Sequence, residues 1–189
     1  MFKFTAALIF ALFLNQPAHA APLTYALEPA NSIVGFETDF GPDKITGQMP
    51  ITAADLTLDF QNVTASRVSV TLDASSADAS FPFAAQAMKG PKVLDTGDFP
   101  QITFVSTSIA ANAKGAMIQG KLTIRGVTQP AALQAEIWRQ TGHVEGDFSH
   151  LTIRLTGAVL RSDYGAIGWA DMVGDQVRLD ILARIAQVK

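Results

Sequence analysis

VRLDILARI, residues 177–185, alternates apolar and polar side chains along most of its length. Its odd-numbered residues are all apolar, whereas Arg178, Asp180 and Arg184 hold even-numbered positions. Successive side chains of a β-strand point to opposite faces of a sheet. This period of two therefore predicts a strand with one buried and one solvated face.

The same alternation recurs in many segments of the chain. Their apolar positions include Val34, Phe36 and Phe40; Leu56, Leu58 and Phe60; Val68, Val70 and Leu72; Ile118, Leu122 and Ile124; Leu133 and Ile137; and Leu151, Ile153 and Leu155. Turn-forming residues separate the segments, as at Gly41-Pro42-Asp43 and Gly174-Asp175. About eight or nine strands with short reversals predict an antiparallel all-β fold, which is either a closed barrel or a sandwich.

One segment, at about residues 80–92, breaks the alternation. Phe83, Ala84, Ala87 and Met88 recur at helical spacing, and Gly90 with Pro91 ends the pattern. We expect one short helical insertion across the dry side of the sheet. It could complete the core at an open barrel end, or it could act as a mobile lid.

The first twenty residues have the layout of a secretory signal peptide. Lys3 supplies an early positive charge, an apolar run extends over residues 4–14, and Ala18-His19-Ala20 forms a small-x-small cleavage site. This run is shorter than the ~20 residues that span a bilayer as a helix. We expect cleavage after Ala20 and export of residues 21–189 as a single domain without a transmembrane anchor.

Composition narrows the possible functions. The full chain has 189 residues, no cysteine and a formal net charge of −3. The absence of cysteine excludes disulfides, thiol catalysis and thiolate metal ligands. The mild acidity argues against a nucleic-acid partner.

The sequence carries few groups suited to catalysis or metal binding. His143, Glu145, Asp147 and His150 lie close together, but alternation through a hairpin would scatter them over both faces. We expect no metal site there. No nucleophile elbow, phosphate-binding loop or dinucleotide fingerprint is present, so we expect neither an enzyme nor a resident cofactor.

The segment RSDYG, residues 161–165, places a guanidinium, a carboxylate and a phenol near the end of a strand. Two interpretations stay open. Arg161 and Asp163 could form an ion pair that holds a loop, which the sequence favours, or the segment could bind the headgroup of an apolar ligand.

Three longer stretches carry a family resemblance. They read KVLDTGDFPQITFVSTSI (92–109), GKLTIRGVTQPAAL (120–133) and TGAVLRSDYGAIGWADMVGDQVRLDILARIA (156–186). In order and spacing they resemble the YceI-like family, and the opening YALEPANSIVGFETDFGPDKITGQM (25–49) resembles its first hairpin. The resemblance implies an eight-stranded lipocalin-like antiparallel barrel in the bacterial periplasm, with a polyisoprenoid or similar long apolar chain in its cavity.

The resemblance and the inward alternation together nominate a set of ligand-binding residues. They are Phe36, Phe40, Leu58, Val70, Phe81, Phe83, Met88, Phe104, Ile124, Arg161, Asp163, Tyr164, Trp169, Leu179 and Ile181. Nearly all of these side chains would also suit a filled core, so the sequence leaves open whether the barrel has a cavity.

The expected function is carriage of an isoprenoid quinone, a polyprenol or a fatty acyl chain. One alternative is a protein-interaction module near a membrane redox partner, which predicts an exposed patch at Phe81 and Phe83. Another is an enzyme that acts on an apolar small molecule. The sequence also leaves open a homodimer.

Two departures from the family pattern limit what the resemblance implies. Many relatives have a histidine in the first hairpin, where this chain has Asp39, and a His-Leu-Arg-Ser stretch where it has Ala87-Met88-Lys89-Gly90. Any headgroup contact made by those residues in relatives is not carried over.

Overall fold

The computed structural model describes residues 22–140, 142, 144 and 146–189. The proposed signal peptide therefore lies outside the described residues. The strands are β1 (Leu23–Leu27), β2 (Ile33–Phe40), β3 (Asp43–Met49), β4 (Ile51–Leu58), β5 (Arg67–Asp73), β6 (Asp78–Ala79), β7 (Gln101–Asn112), β8 (Gly115–Ile124), β9 (Val127–Arg139), β10 (His150–Leu160) and β11 (Val173–Gln187). One α-helix in this part of the chain, α1 (Pro82–Lys89), lies between β6 and β7.

Eight of these strands close into a barrel. Their order is β1-β4-β5-β7-β8-β9-β10-β11, and β1 pairs back onto β11, with Leu27 opposite Ile185. Every pairing in the barrel is antiparallel. The eight-stranded antiparallel barrel expected from the sequence is confirmed, and the sandwich is excluded.

The first hairpin extends the barrel wall at one end. The long strand β11 pairs with β1 near its carboxyl end and with β2 over residues 173–182. β3 pairs with β2, and β6 adds to the outer edge of β3. Pro50 separates β3 from β4, because proline has no N–H to donate to the ladder.

The barrel has two ends, the helix end and the far end. The helix end contains the β2–β3 turn at residues 41–42, α1 and the loop of residues 165–172. The far end contains residues 59–66 and the β7–β8 turn at residues 113–114. The assignment follows from the strand register, which places Phe40 opposite Val173 and Leu160 opposite Gln176.

The helix α1 confirms the predicted insertion within slightly narrower limits. Pro82 occupies the first turn, where the absent N–H costs nothing. Gly90 ends the helix and donates its N–H to the carbonyl oxygen of Ala87 at 3.2 Å. No helix in the described residues is long and apolar enough to span a membrane.

Aromatic side chains pack together at the far end. Tyr25 is 2% exposed and donates its hydroxyl to the carbonyl oxygen of Phe148 at 2.9 Å. The Phe60 ring stacks on that of Phe148 at 4.7 Å and meets Tyr25 edge-on at 6.1 Å. This cluster joins β1 to the segment that precedes β10, and so stabilises the closure of the barrel.

The charged residues of the segment 177–185 lie on the outer face, as their alternation predicts. Arg178 donates to Glu37 and to Asp39 of β2, at 2.6 Å in each case. Lys44 of β3 also donates to Glu37, at 2.9 Å. These bonds link three adjacent strands, and they hold the pKa values of Glu37 and Asp39 below their ordinary range.

A candidate ligand-binding cavity

The barrel encloses a cavity of about 580 Å³. Its walls are almost entirely apolar, and the lining residues come from both ends of the barrel. The interior is therefore not filled by side chains, which answers the question that the sequence left open. Eight strands are enough to enclose one small ligand.

Seven of the nominated strand residues line this cavity. They are Phe36, Leu58, Val70, Phe104, Ile124, Leu179 and Ile181. Two of the rings lie against glycines on a neighbouring strand, since a Cβ at Gly47 or at Gly120 would collide with the ring of Phe36 or of Phe104. Because glycine has no side chain, Gly47 and Gly120 leave room for these two rings in the barrel wall.

The helix α1 covers part of the cavity with small and flexible side chains. Ala84, Ala87 and Met88 line the cavity. Phe83, by contrast, is 84% exposed and does not line it. At about 100° per residue, Phe83 falls roughly a quarter turn from the centre of the cavity-facing side of α1, in the first turn of the helix.

Two more of the nominated aromatic residues lie outside the cavity. Phe40 occupies the end of β2, beyond the last cavity-lining residue of that strand, Thr38. Phe81 precedes α1, and its ring centroid lies 6.4 Å from that of Phe40. The rim of the helix end therefore contains Phe40, Phe81 and Phe83. These residues lie at the ends of their strand or helix, where the side-chain pattern no longer points toward the cavity.

Arg161 lines the cavity at the helix end and is only 8% exposed. Its guanidinium donates four hydrogen bonds to backbone carbonyl oxygens: Ala166 at 2.5 Å, Gly168 at 2.7 Å, and Val173 and Gly174 at 2.9 Å each. Two of these bonds fasten the loop of residues 165–172 to the turn that follows β10, and the other two fasten the first residues of β11 to it. The guanidinium thus supplies hydrogen-bond donors to backbone carbonyl groups that a regular strand or helix would pair with backbone N–H groups.

The expected ion pair between Arg161 and Asp163 is wrong. The ion pairs found in the described part of the chain do not include Arg161. Residues 161–164 form a 3₁₀ turn, in which positions i and i+3 share a face. Arg161 and Tyr164 are therefore buried together, whereas Asp163 is exposed and borders a small separate surface pocket.

Tyr164 is 2% exposed and lines the cavity beside Arg161. Burial raises the pKa of its phenol above 10.0, and the negative charge of Asp163 adds to this effect. The phenol is therefore neutral at physiological pH. It adds a polar group to a mostly apolar wall.

Trp169 marks one of the places where the cavity meets the surface. It lines the cavity and is also 47% exposed. The Lys92 ammonium lies 5.8 Å from the centre of its ring, within cation–π distance. Gly168, its neighbour, donates its N–H to the carbonyl oxygen of Lys92 at 2.8 Å, so the loop is tied to the segment after α1.

Sequence reasoning missed several polar groups of the cavity. Thr38 on β2 lines the cavity and donates to the carbonyl oxygens of Gly174 and Gln176, both at 3.0 Å. Asp59 lines the opposite, far end and accepts hydrogen bonds from two backbone N–H groups at 2.7–2.9 Å. Only the inward alternation after Phe36 could have indicated Thr38.

Asp175 is a further residue that the sequence did not single out. It accepts hydrogen bonds from the backbone N–H and the hydroxyl of Ser162, at 2.9 and 2.7 Å. These bonds, together with the positive charge of Arg161, hold its pKa below the ordinary value. Asp175 therefore fixes the outer side of the turn that buries Arg161.

Metal binding finds no support in the described residues, where no group of three or more histidine, aspartate or glutamate side chains lies close enough to hold an ion. His143 and Glu145, two members of the cluster noted in the sequence, lie outside the described residues.

An eight-stranded antiparallel barrel around an apolar cavity defines a lipocalin-like barrel protein. The chain belongs to the YceI-like family, since the YceI-like domain matches residues 25–185. A UPF0312 protein of Shewanella oneidensis is 31% identical over 134 residues, which cover 70% of each chain.

Solved structures show the same fold. BcnA of Burkholderia cenocepacia superposes with a TM-score of 0.74 at 22% identity, covering 84% of this chain and 99% of BcnA. A polyisoprenoid-binding domain of Saccharophagus degradans superposes with a TM-score of 0.63 at 13% identity, covering 88% of this chain and 99% of that domain.

Proposed function

We propose that this protein is a carrier that shelters one long apolar chain, of the polyisoprenoid class or a similar lipid, inside its barrel. The observation that carries the proposal is the cavity of about 580 Å³ with apolar walls. The polyisoprenoid-binding domain of Saccharophagus degradans, which has the same fold, supports this ligand class.

The apolar wall supplies enough free energy for such binding. Each buried methylene contributes about 0.8 kcal/mol, so about fifteen buried carbons contribute roughly 12 kcal/mol, of which about 4 kcal/mol offsets the smallest cost of association. Micromolar affinity corresponds to about 8 kcal/mol. A cavity of this kind selects for apolar length more than for a particular headgroup.

The proposed contacts follow the cavity lining. Phe36, Phe104 and Leu179 represent the strand residues that hold the chain, and Met88 covers it from α1. Arg161 and Tyr164 give the helix end its polar groups. We place the ligand headgroup at that end, where the charge of Arg161 attracts an oxygen-rich group even though four of its N–H groups are already bonded.

Carriage fits the cavity better than catalysis does. An enzyme would need a general acid or base aimed at the ligand. Asp59, the buried carboxylate of the cavity, is held by two backbone N–H groups of its own turn. Arg161 is likewise bonded to four carbonyl groups, so both groups have structural partners.

The site of action is part of the proposal. The leader pattern of residues 1–20 supports export to the periplasm, cleavage after Ala20 and a mature single domain of residues 21–189. A carrier in that compartment would move an insoluble chain through water. Amino-terminal sequencing of the protein recovered from the periplasmic fraction tests this assignment.

Mass spectrometry of bound lipid tests the function. The protein is purified without detergent and extracted with organic solvent, and an apolar fluorescent probe is titrated into the extracted protein. We expect an isoprenoid or acyl lipid in the extract and saturable binding of the probe. No lipid and no probe binding would overturn the proposal.

A matched pair of variants localises the binding. Ala131→Phe places a ring in the cavity wall, and Ala110→Phe places one on an exposed position of β7. Because only the first ring occupies ligand space, Ala131→Phe should weaken probe binding at least tenfold, and Ala110→Phe should leave it unchanged. Equal effects would place the probe outside the barrel.

A further inference from the structure

The helix end carries exposed apolar side chains from two separate segments. Phe83 and Ile167 expose 84% and 65% of their surfaces, and Phe81, Trp169 and Met172 expose 44–49%. We call these five residues the lip. A single exposed apolar residue is ordinary, but a cluster of large ones on one end of a protein marks an interaction surface.

Direct contacts hold the segments of the lip together. Phe81 packs against Phe40 at the end of β2. The next residue, Gly41, donates its N–H to the carbonyl oxygen of Met172 at 3.3 Å. The residue before α1 and the loop of residues 165–172 are thus both attached to the same β2–β3 turn.

The lip is continuous with the cavity. Trp169 belongs to both, since it lines the cavity and is half exposed. In α1, Ala84 and Met88 line the cavity while Phe83 projects outward. The helix therefore lacks the fully polar outer side that a helix facing only water normally has.

The two segments that form the lip differ in charge from the whole protein. Lys89 and Lys92 are the charged residues of the segment 81–92, and Asp171 is the one charged residue of the segment 165–172. The complete chain has a formal net charge of −3. Two lysines beside exposed aromatic rings complement a phospholipid surface, where rings enter the headgroup region and lysines reach the phosphates.

We propose that the lip docks on a phospholipid bilayer, with Phe83, Ile167 and Trp169 entering the headgroup region. In this orientation the cavity meets the acyl layer at Trp169, so an apolar chain passes between protein and bilayer without crossing water. The transfer step rests on the proposed carrier function. Docking itself does not, because it uses the outer surface alone.

Tryptophan fluorescence tests the orientation, since the chain has two tryptophans. Trp138→Phe leaves Trp169 at the lip as the single reporter, and Trp169→Phe leaves Trp138 near the far end of β9. Vesicles contain phosphatidylcholine with one third phosphatidylglycerol, and some carry brominated acyl chains. We expect a blue shift and quenching of Trp169 only. Quenching of Trp138 alone, or of neither, would overturn the proposal.

Vesicle sedimentation measures the strength of docking. Phe83→Ser with Ile167→Ser removes the two most exposed lip side chains, whose truncation leaves no buried void. The matched control is Val144→Ser with Val188→Ser, which alters side chains 74% and 50% exposed outside the lip. The lip variant should bind at least tenfold more weakly and the control should bind like the parent protein. Equal binding by all three would contradict the proposal.

Two further readouts separate docking from carriage. In the absence of vesicles the lip variant should bind the apolar probe with unchanged affinity, while its transfer of probe to acceptor vesicles should slow about tenfold. If the probe does not bind to the protein, the proposed carrier function is wrong. Vesicle sedimentation still tests docking in that case, because it does not depend on probe binding. Binding only to membranes that contain proteins, and not to pure lipid, would assign the lip to a protein partner and overturn the proposal.

Discussion

Arg161 donates a 2.7 Å hydrogen bond to the carbonyl oxygen of Gly168 from inside the barrel wall. Gly168 in turn donates its N–H to Lys92, three residues beyond α1. A buried cation in the turn after β10 thereby sets the position of the loop and of the segment that follows α1. The segment after α1 is thus held in place by a side chain that is remote from it in sequence.

Arg161→Met should destabilise the protein by about 2–4 kcal/mol. It keeps most of the apolar stem but leaves up to four carbonyl oxygens without their donor. Urea unfolding measures the change. The control, Arg125→Met, removes an arginine that bonds one carbonyl oxygen of the same loop and should cost less than 1 kcal/mol. Equal losses would contradict the structural role of Arg161.

Gly120→Ala should destabilise the barrel by about 1–3 kcal/mol. Its Cβ would collide with the Phe104 ring and lie 2.7 Å from the carbonyl oxygen of Val105, a backbone atom that cannot move aside easily. Gly97→Ala is the control, because a Cβ there meets nothing within 4 Å. Thermal unfolding of both variants checks the prediction. A neutral Gly120→Ala would show that the wall is not closely packed at Phe104.

Lowering the pH should reduce the free energy of unfolding of the parent protein more than that of the Arg178→Gln variant. Hydrogen bonds from Lys44 and Arg178 lower the pKa of Glu37 from 4.5, and those from Arg178 lower that of Asp39 from 3.8. Because these pKa values are lower in the folded state, their stabilising effect is present above the ordinary carboxyl pKa. It is lost as the pH falls through the folded values.

The measurement is urea unfolding at neutral pH and at successively lower pH. The difference in stability between the parent and Arg178→Gln should shrink on acidification. Lys121→Gln, an exposed change on β8, should show a constant difference. A difference in stability that grows as the pH falls would contradict the predicted role of Arg178.

Both tyrosines of the chain should ionise late in the folded protein. Burial raises the pKa of both Tyr25 and Tyr164 above 10.0. The negative charge of Asp147 raises the pKa of Tyr25 further, and that of Asp163 does the same for Tyr164. Absorbance of the tyrosinate measures this. Folded protein should titrate at higher pH than protein in urea, and its stability should decline as the pH passes the ordinary value. Tyr25→Phe and Tyr164→Phe assign the two transitions, and a normal titration of the folded protein would contradict the burial of both phenols.

Alternation was sufficient to predict an antiparallel all-β fold and most of the strand positions that line the cavity, whereas the choice of a barrel over a sandwich came from the family resemblance. A residue such as Leu179 lies on the apolar face of its strand, whichever strands pair with it. A period of two therefore identifies it as inward-facing without any knowledge of the partner strands. The helix was also predictable, because Gly90 and Pro91 end it by local conformational rules.

Residues at the ends of elements were less predictable. Phe83 continues the apolar pattern of its helix but lies where that helix leaves the barrel. The role of Arg161 depends on carbonyl groups up to thirteen residues away, which belong to an irregular loop and to the first residues of β11. Backbone acceptors leave no mark in the side-chain sequence, so the pattern suggested the neighbouring Asp163 as partner instead.

The pairing of β1 with β11 has a consequence for the order of events during folding. Tyr25 and Gln187 must meet before the wall is continuous, although most of the chain separates them. A nascent chain that still lacks β11 has strands and hairpins but no enclosed interior. If the proposed carrier function holds, loading of the apolar chain is a late event, because the first and last strands must pair before there is an interior to fill.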